Sequence, residues 1–442
     1  MAPPSPRSLL SSSLLLLLLV FLPNTAHSSS FRPKALLLNV TKDASTLQYL
    51  THINQRTPRV SVPVVVDLGG QDLWVDCSQN YTSSTYRPAR CHSSQCSLAK
   101  SSSCSDCYSA PKPGCNNNTC GVIIDNTVTR TATTGDLGDD VVSIQSTNGS
   151  NPGRVATVNH FLFACASTFI LEGLANGAKG MAGLGRTRIS LPTQFAAAFS
   201  FHKIFAICLS SSTTYPGVIF FGDGPYKFLL NVDASANLIY TKLYVNPVST
   251  ASAYTAGHAS SEYFIGVTSI EIDDEAVSLN TSLLSINNTT GYGGTKISTV
   301  NPYTVMETSI YKAVTEAYIE AAAARNITTV GAVSPFGVCF STANVGSTRV
   351  GYAVPTIDLV LESESVYWSI FGANSMVQVS NDVICLGFLD GGSEPRTSIV
   401  IGGYQLENNL LQFDLASSKL GFSSTLLGSQ TTCADFNFTS IA

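Results

Sequence analysis

Hydrophobic residues along this chain occur mostly in short runs separated by turn residues. Three of the clearest runs are Val60–Val66, Tyr263–Ile272 and Ser398–Ile401, which are rich in β-branched or aromatic residues. Runs of this length and composition are typical of β-strands. Glycine-rich and Ser/Thr-rich connections lie between them. The pattern therefore predicts an architecture built mostly from short strands.

Two segments have a helical pattern instead. Leu191–Phe199 carries Pro192 in its first turn, where proline is favoured. Ser309–Arg325 is rich in alanine, and its apolar residues return at helical spacing. We expect helices in these two places and few elsewhere.

The two halves of the chain show a weak internal repeat. In each half an apolar strand ends in a turn, and a glycine-containing apolar element follows much later. The paired segments are Val64–Gly70 with Met181–Gly185, and Thr295–Val300 with Ile399–Gly403. Aligning the two copies places Ser298 at the position of Asp67.

The length of the chain also favours two lobes. A chain of 442 residues exceeds the size at which a single core usually stops growing. We place an N-terminal lobe with a cysteine-rich insertion at 28–232 and a C-terminal lobe at 233–442. The boundary lies close to a predicted turn at Gly222–Pro225.

The N-terminus has the features of a secretory signal peptide. Arg7 supplies a positive charge, Leu14–Phe21 is an unbroken apolar run, and Thr25–Ser28 offers small residues for cleavage. The apolar run is shorter than the roughly 20 residues that a membrane-spanning helix needs. We expect residues 1–27 to be removed and the protein to be secreted without a membrane anchor.

Composition narrows the classes of function. Hydrophobic residues make up 44% of the chain and charged residues 12%, which excludes extended disorder. The formal net charge is −5 and no basic run is present. This balance argues against nucleic acids and anionic membranes as partners.

Cysteine usage agrees with secretion. An even number of cysteines in a secreted chain predicts disulfides throughout. Cys104 and Cys107 have the spacing of a zinc or redox pair, but no matching His or Cys pair accompanies them, so we predict no metal site. The twelve cysteines are Cys77, Cys91, Cys96, Cys104, Cys107, Cys115, Cys120, Cys165, Cys208, Cys339, Cys385 and Cys433.

Nine asparagines begin Asn-x-Ser/Thr sequons. Such sites, when glycosylated, lie on exposed loops of secreted proteins. We therefore expect an extracellular glycoprotein. The nine are Asn39, Asn80, Asn117, Asn148, Asn280, Asn287, Asn288, Asn326 and Asn437.

Three segments resemble the pepsin-like aspartic peptidases. Asp67–Val75 is similar to the family's Asp-Thr-Gly segment and the Trp-Val that follows it. Ile399–Tyr404 and Phe413–Phe422 resemble the family's C-terminal signature. The likeness extends over nearly all of the chain after the signal peptide. It implies an all-β, two-lobed pepsin-like fold with few short helices.

A narrower resemblance is to the plant xylanase-inhibitor-like proteins, which include extracellular dermal glycoproteins and xyloglucanase inhibitors. It rests on Thr134–Asp140, on the cysteine cluster and on Pro395–Gly403. The resemblance implies that Cys339 and Cys385 pair within the C-terminal lobe. We also expect Cys208 and Cys433 to pair between the lobes.

The catalytic residues of an aspartic peptidase are incomplete here. Such an enzyme needs two carboxylates that share one proton. Asp67 stands at the first position, but the second position is Ser298. Leu68 replaces the threonine that follows the first aspartate, and no tyrosine lies between Tyr108 and Thr134, where the family places a flap tyrosine. We expect no proteolysis, and we expect Asp67 to be a buried turn residue that accepts backbone N–H bonds.

Other catalytic classes have no motif in this chain. None of the six histidines lies in a Gly-x-Ser-x-Gly or His-Glu-x-x-His motif. The acidic pairs Asp139–Asp140 and Asp273–Asp274 suggest a glycosidase at first sight. Adjacent acids on a strand face opposite ways, so we expect both pairs to be solvated loop residues.

An inhibitory surface is the remaining interpretation. Arg396 lies in a turn-rich loop before a strand, and we expect it to be exposed. In the xyloglucanase inhibitors that this chain resembles, loops insert arginine between the catalytic carboxylates of the enzyme, which guanidinium binds bidentately. Arg349 is a second candidate. The cereal xylanase inhibitors use a histidine, and none lies near Arg396, which favours xyloglucanase over xylanase as the target.

The sequence thus predicts a secreted monomer of the apoplast or cell wall that needs no cofactor. Its expected partner is a secreted microbial glycoside hydrolase, with xyloglucan-specific endo-β-glucanase before xylanase, and its role is plant defence. Two alternatives stay open. One is a peptide-hormone-binding or receptor-like protein of the basic 7S globulin type, and the other is an aspartic endopeptidase.

Overall fold

Strands dominate the structure, as the hydrophobic pattern predicts. The computed structural model describes Met1 and residues 31–254, 256–363 and 365–440. Within these residues there are five α-helices, and strands form most of the remaining regular structure. The predicted signal peptide, residues 1–27, lies outside the described residues except for Met1.

The strands before residue 234 include the longest ones of the chain. They are β1 (Ala35–Lys42), β2 (Tyr49–Gln55), β3 (Val60–Asp67), β4 (Leu73–Asp76), β5 (Arg87–Pro88), β6 (Cys104–Ser105), β7 (Thr119–Asn126), β8 (Thr131–Thr147), β9 (Pro152–Ala166), β10 (Gly180–Gly183), β11 (Ile204–Cys208), β12 (Gly217–Phe221), β13 (Lys227–Phe228) and β14 (Val232–Asp233).

None of the later described strands is longer than six residues. They are β15 (Ile239–Tyr244), β16 (Tyr263–Ile265), β17 (Ser269–Ile272), β18 (Glu275–Ala276), β19 (Thr295–Ile297), β20 (Thr304–Met306), β21 (Thr329–Val330), β22 (Cys339–Ser341), β23 (Ser347–Thr348), β24 (Gly351–Tyr352), β25 (Ile357–Val360), β26 (Tyr367–Ile370), β27 (Met376–Gln378), β28 (Val383–Leu386), β29 (Phe388–Asp390), β30 (Ile399–Ile401), β31 (Leu410–Asp414) and β32 (Lys419–Phe422).

The described helices are few, as expected. Among the described residues, none of the helices combines the length and apolar character needed to cross a membrane. The five are α1 (Ser94–Leu98), α2 (Leu191–Phe199), α3 (Thr308–Ala324), α4 (Gly372–Ser375) and α5 (Gly403–Leu406).

Most of the predicted elements are confirmed, and one is wrong. Helix α2 has the predicted bounds, and α3 is displaced by one residue from its predicted bounds. The run Tyr263–Ile272 is two strands rather than one. Strand β16 pairs with β15 and β19, whereas β17 pairs with β18 and β25 in a separate sheet. The chain passes between the two sheets at residues 266–268, which belong to neither strand.

The internal repeat corresponds to two equivalent strand pairings. Strand β3 runs parallel to β10, with Asp67 opposite Gly183. Strand β19 runs parallel to β30, with Ile297 opposite Ile401. The N–H of Ser298 donates to the carbonyl of Ile401 at 2.9 Å. Asp67 and Ser298 therefore lie at corresponding ends of the two pairings.

Strands from both halves of the chain share one sheet. Strand β11 pairs with β12 on one side and with β31 on the other, and β31 continues through β32 to β15. The rings of Phe205 and Phe413 stack across the β11–β31 pair at 4.8 Å. The described residues from Pro33 onward form one compact unit, so the lobe boundary between 232 and 233 stays a prediction.

All twelve cysteines are paired, and two of the pairs are those expected, Cys339–Cys385 and Cys208–Cys433. Three pairs tie the cysteine-rich insertion together, and one fastens its start to β9. These four are Cys91–Cys104, Cys96–Cys120, Cys107–Cys115 and Cys77–Cys165. Both cysteines of the Cys104-x-x-Cys107 motif are thus used in disulfides.

The nine sequon asparagines are all exposed. Asn39 lies in strand β1 rather than on a loop, so the expectation of loop positions is wrong for that residue. Its side chain faces solvent because alternate residues of a strand face opposite sides. Glycosylation of these residues stays a prediction.

Candidate functional site

A cavity of about 680 Å³ lies where the two equivalent strand pairings end. Asp67 and Ser298 both line it. A hairpin that we call the flap hairpin, made of β7, its turn at residues 127–130 and β8, lines it through Asp125, Thr127 and Arg130. The repeat, recognised from the sequence, is therefore what positions this site.

Both carboxylate oxygens of Asp67 accept hydrogen bonds within the protein. The N–H of Gly69 donates to its Oδ1 at 3.0 Å, and the hydroxyl of Thr127 donates to its Oδ2 at 2.7 Å. Burial raises the pKa of Asp67 to about 6, against the lowering effect of these two hydrogen bonds. Asp67 is thus a buried turn residue that accepts a backbone N–H, and a flap hydroxyl covers its other oxygen.

Ser298 closes its own turn. Its hydroxyl donates to Oδ1 of Asn301 at 3.0 Å and accepts the N–H of Val300 at 3.3 Å. A serine hydroxyl cannot supply the second carboxylate of a proton-sharing pair. The position that corresponds to Asp67 therefore carries no acid.

Thr299 braces the two turns against each other, which the sequence analysis missed. Its buried hydroxyl donates to the carbonyl of Val66 at 2.8 Å and accepts the N–H of Leu68 at 3.0 Å. Leu68 holds the corresponding place in the other turn and is packed in the core without a hydroxyl. The brace is therefore made from one side only. The sequence feature that could have indicated this brace is the threonine that directly follows Ser298 in the second copy of the repeat.

Two further acids of the cavity were also missed. Burial and the nearby charge of Asp125 raise the pKa of Asp72 to about 7. Burial raises the pKa of Asp125, whose Oδ2 accepts the N–H of Ser252 at 3.0 Å. Glu262 differs from both, because the ammonium of Lys296 lies 2.6 Å from its Oε1. These acids come from distant parts of the sequence, so no local motif marks them.

Arg396 lies on the wall of this cavity, half-buried, and the expectation of a freely exposed arginine is wrong. Its Nη2 donates to the hydroxyl of Tyr254 at 3.2 Å, and its guanidinium carbon lies 5.2 Å from the centre of that ring. The N–H of Gly293 donates to its carbonyl at 3.0 Å. These contacts hold the side chain of Arg396 at the wall of the protein's own cavity.

Arg349 occupies the exposed tip of the β23–β24 hairpin, outside the residues that line the cavity. The hydroxyl of Thr348 donates to the carbonyl of Gly351 at 2.8 Å and accepts the N–H of Val350 at 3.2 Å. These bonds tie the turn together under Arg349. The two candidate arginines therefore have different surroundings, one in the cleft and one on a projecting turn.

The first acidic pair is not solvated, contrary to expectation. Asp139 and Asp140 lie in strand β8 and are buried. Asp139 bonds to Nδ1 of His160 at 2.8 Å, and Asp140 accepts the hydroxyl of Tyr81 at 2.8 Å. Such partners make burial of the two carboxylates tolerable. The pair Asp273–Asp274 does lie in a turn at the surface, where Asp273 pairs with Arg325.

Two family models match the chain. The model described as Xylanase inhibitor N-terminal matches residues 49–223, and the model described as Xylanase inhibitor C-terminal matches residues 262–424.

Individual proteins agree with these matches. The chain is 64% identical to the "Probable aspartic proteinase GIP2" of Nicotiana benthamiana, over 97% of this chain and 98% of the relative. It is 44% identical to Gamma conglutin 1 of Prunus dulcis, over 95% of this chain and 94% of the relative.

Solved structures extend the comparison. The crystal structure of edgp has a TM-score of 0.92 at 64% identity and covers 93% of this chain and 100% of its own. An aspartic proteinase from Irpex lacteus has a TM-score of 0.55 at 14% identity, covering 90% and 99%, and shows the fold alone. The expected all-β, two-lobed pepsin-like fold is confirmed, and the chain belongs to the xylanase-inhibitor family of proteins with that fold.

Proposed function

We propose that this protein is a secreted, catalytically inactive aspartic-peptidase homologue that inhibits microbial glycoside hydrolases in the plant apoplast or cell wall. The target we favour is xyloglucan-specific endo-β-glucanase, with xylanase second. The protein would act as a monomer. The family match to xylanase inhibitors supports a glycoside hydrolase as partner.

Inactivity is proposed because Asp67 has no acidic counterpart. The corresponding residue is Ser298, whose hydroxyl is engaged with Asn301. Thr127 of the flap hairpin already occupies Oδ2 of Asp67, the place where an attacking water would be held. The word proteinase in the name of the Nicotiana benthamiana relative is the reason to test this point directly.

The observation that carries the inhibitory proposal is the state of Arg349. Its side chain is exposed on a hydrogen-bonded turn, and within the described part of the chain its guanidinium has neither a hydrogen bond nor an ion pair. A planar, unpaired guanidinium on a rigid projection matches the two carboxylates of a retaining glycosidase, which lie about 5 Å apart. Arg396 is the second candidate, because it would first have to leave Tyr254.

The experiment compares single-residue variants in parallel xyloglucanase and xylanase inhibition assays. Arg349→Ala should raise the inhibition constant about 30-fold or more, because the enzyme's carboxylates would be left desolvated and unpaired. Arg349→Lys should also weaken inhibition, since an ammonium cannot form two parallel bonds.

Arg59→Ala is the matched control, since Arg59 is an exposed arginine on another turn. It should leave the inhibition constant within about two-fold, the range expected for a surface change away from the contact. If Arg349→Ala inhibited as well as the parent protein and Arg396→Ala lost most of its inhibition, Arg396 would be the inhibitory arginine. Unchanged inhibition in both, or no inhibition by the parent protein, would reject the proposal.

A further inference from the structure

The proposed inhibitory surface leaves the central cavity without a use. The cavity measures about 680 Å³, within the range of sites that bind small molecules or side chains. Acidic residues outnumber basic ones in its wall. The acids are Asp67, Asp72, Asp125, Glu262 and Glu394, and the bases are Arg130, Lys296 and Arg396.

Two of these acids already have their partners. Asp67 accepts from Thr127 and Gly69, as described above. Glu262 pairs with Lys296 at 2.6 Å and accepts the hydroxyl of Thr250. Neither carboxylate needs a further donor.

Asp72 and Asp125 differ, because they keep open acceptors. Asp72 is 6% exposed, and its carboxylate has no hydrogen bond within the described part of the chain. Oδ1 of Asp125 is buried and likewise has no partner there, although Oδ2 is bonded to Ser252. Buried polar groups of native proteins are nearly always hydrogen-bonded, so two open carboxylates on one cavity wall point to a missing donor.

The basic residues of the cavity do not supply that donor. Lys296 is engaged with Glu262, and Arg396 with Tyr254. Arg130 is exposed in the turn of the flap hairpin and forms no ion pair with either acid among the described residues. The bases of the cavity wall therefore supply no donor to the carboxylate of Asp72 or to Oδ1 of Asp125.

Charge and ring exposure decide which donor fits. The excess of acids favours a cation over a neutral hydroxylated ligand. A sugar would also need a free aromatic face, but the ring of Tyr254 has Arg396 over it and Trp74 is 3% exposed. Two neighbouring carboxylates match the donors of a guanidinium or an ammonium group.

We propose that Asp72 and Asp125 form a subsite in the central cleft for an organic cation, a guanidinium or primary ammonium group. The group is either a basic side chain of a bound peptide or a free small amine or guanidine. The rest of the cavity gives room for the chain that carries the group. This site is separate from Arg349 and does not depend on inhibition of a glycoside hydrolase.

The test uses isothermal titration of the full chain at about pH 8, above the raised pKa of Asp72, so that its carboxylate is ionised. The ligands are N-acetyl-argininamide and N-acetyl-citrullinamide, a neutral analogue of nearly the same shape. The arginine compound should bind at least about tenfold more tightly, because a charged hydrogen bond is lost in the analogue. A pentapeptide with a central arginine between glycines separates the two sources. If the pentapeptide binds more tightly than N-acetyl-argininamide, the natural ligand is a peptide. If it binds equally or more weakly, the natural ligand is a small free cation.

Three variants locate the site. Asp72→Asn and Asp125→Asn should each weaken binding about tenfold or more, whereas Asp382→Asn, at an exposed acid elsewhere, should change it less than about two-fold. Equal binding of the arginine and citrulline compounds, or no saturable binding at about 50 mM, a concentration far above any specific site, would overturn the proposal. The proposal would also be overturned if Arg130→Ala bound the arginine compound about tenfold or more tightly than the parent protein, because the side chain of Arg130 would then be the natural occupant of the subsite.

Discussion

Replacing Asp72 by asparagine should stabilise the protein at neutral pH and leave it nearly unchanged in acid. Asp72 is buried without a hydrogen bond to its carboxylate in the described part of the chain, beside the charge of Asp125. Both features disfavour the ionised form and raise its pKa from 3.8 to about 7. Asparagine has nearly the same size and no charge to desolvate.

The magnitude follows from the difference in proton binding between the two states. Between pH 4 and pH 7 the folded protein keeps the proton of Asp72, whereas the unfolded chain has lost it. Stability from this group is therefore fully present below pH 3.8 and is lost as the pH rises through about 7. A rise from 3.8 to about 7 corresponds to about 4 kcal/mol, at about 1.4 kcal/mol for each pH unit.

The assay is urea unfolding at pH 4, 6 and 8, followed by the fluorescence of Trp74 and Trp368, the two tryptophans of the chain. The free energy of unfolding of Asp72→Asn minus that of the parent should be near zero at pH 4. It should increase to as much as about 4 kcal/mol at pH 8. Asp67, with its raised pKa, changes stability in the same direction, but it is present in both proteins and cancels.

Asp382→Asn serves as the control, because it makes the same chemical change at an exposed aspartate that does not line the cavity. The reasoning would be refuted if Asp72→Asn lowered stability equally at pH 4 and pH 8. That outcome would mean that Asp72 is ionised at both values, with a partner that stabilises its charge.

The other predictions concern proteolysis, the brace, a buried ion pair and the disulfides. The purified protein should not cleave denatured casein between about pH 2 and 6. Ser298→Asp should not restore cleavage, because Thr299 braces the two turns from one side only and Leu68, at the corresponding place, lacks a hydroxyl. Pepstatin-sensitive cleavage by the parent protein would contradict this prediction. Thr299→Val should lower the free energy of unfolding by about 1–3 kcal/mol, since it leaves the buried N–H of Leu68 unbonded, and a value near zero would show that the brace contributes nothing. Lys42→Met should cost about 3–5 kcal/mol at pH 7.5, because Lys42 lies 2.6 Å from the buried carboxylate of Glu407. The cost should be smaller at pH 4, where Glu407, whose pKa is raised by burial, is protonated; an equal cost at both values would refute the charge argument. Thiol titration of the denatured, unreduced protein should find no free thiols, and two or more would contradict the pairing.

Local patterns in the sequence were enough for the mostly β architecture and for the position of the site, whereas the two-lobed pepsin-like fold came from the family resemblance. Strands such as Val60–Asp67 and the helix Leu191–Phe199 follow from residue type and spacing, because those properties act between neighbours in the chain. The internal repeat identified Ser298 as the residue that corresponds to Asp67, because in each copy the turn directly follows its strand in the sequence. The even number of cysteines likewise agreed with complete pairing.

Side-chain environments were decided only by the tertiary structure. Asp139 and Asp140 are buried beside Tyr81 and His160, which bond to their carboxylates from distant positions in the chain, and no spacing in the sequence reveals these contacts. Arg396 faces its own cleft because Tyr254, from a distant loop, lies beneath its guanidinium. Asp72 and Asp125 share a cavity wall only after β7 folds over the turn that follows β3. A local pattern determines the path of the backbone, whereas burial and charge depend on which distant segments the completed fold brings into contact.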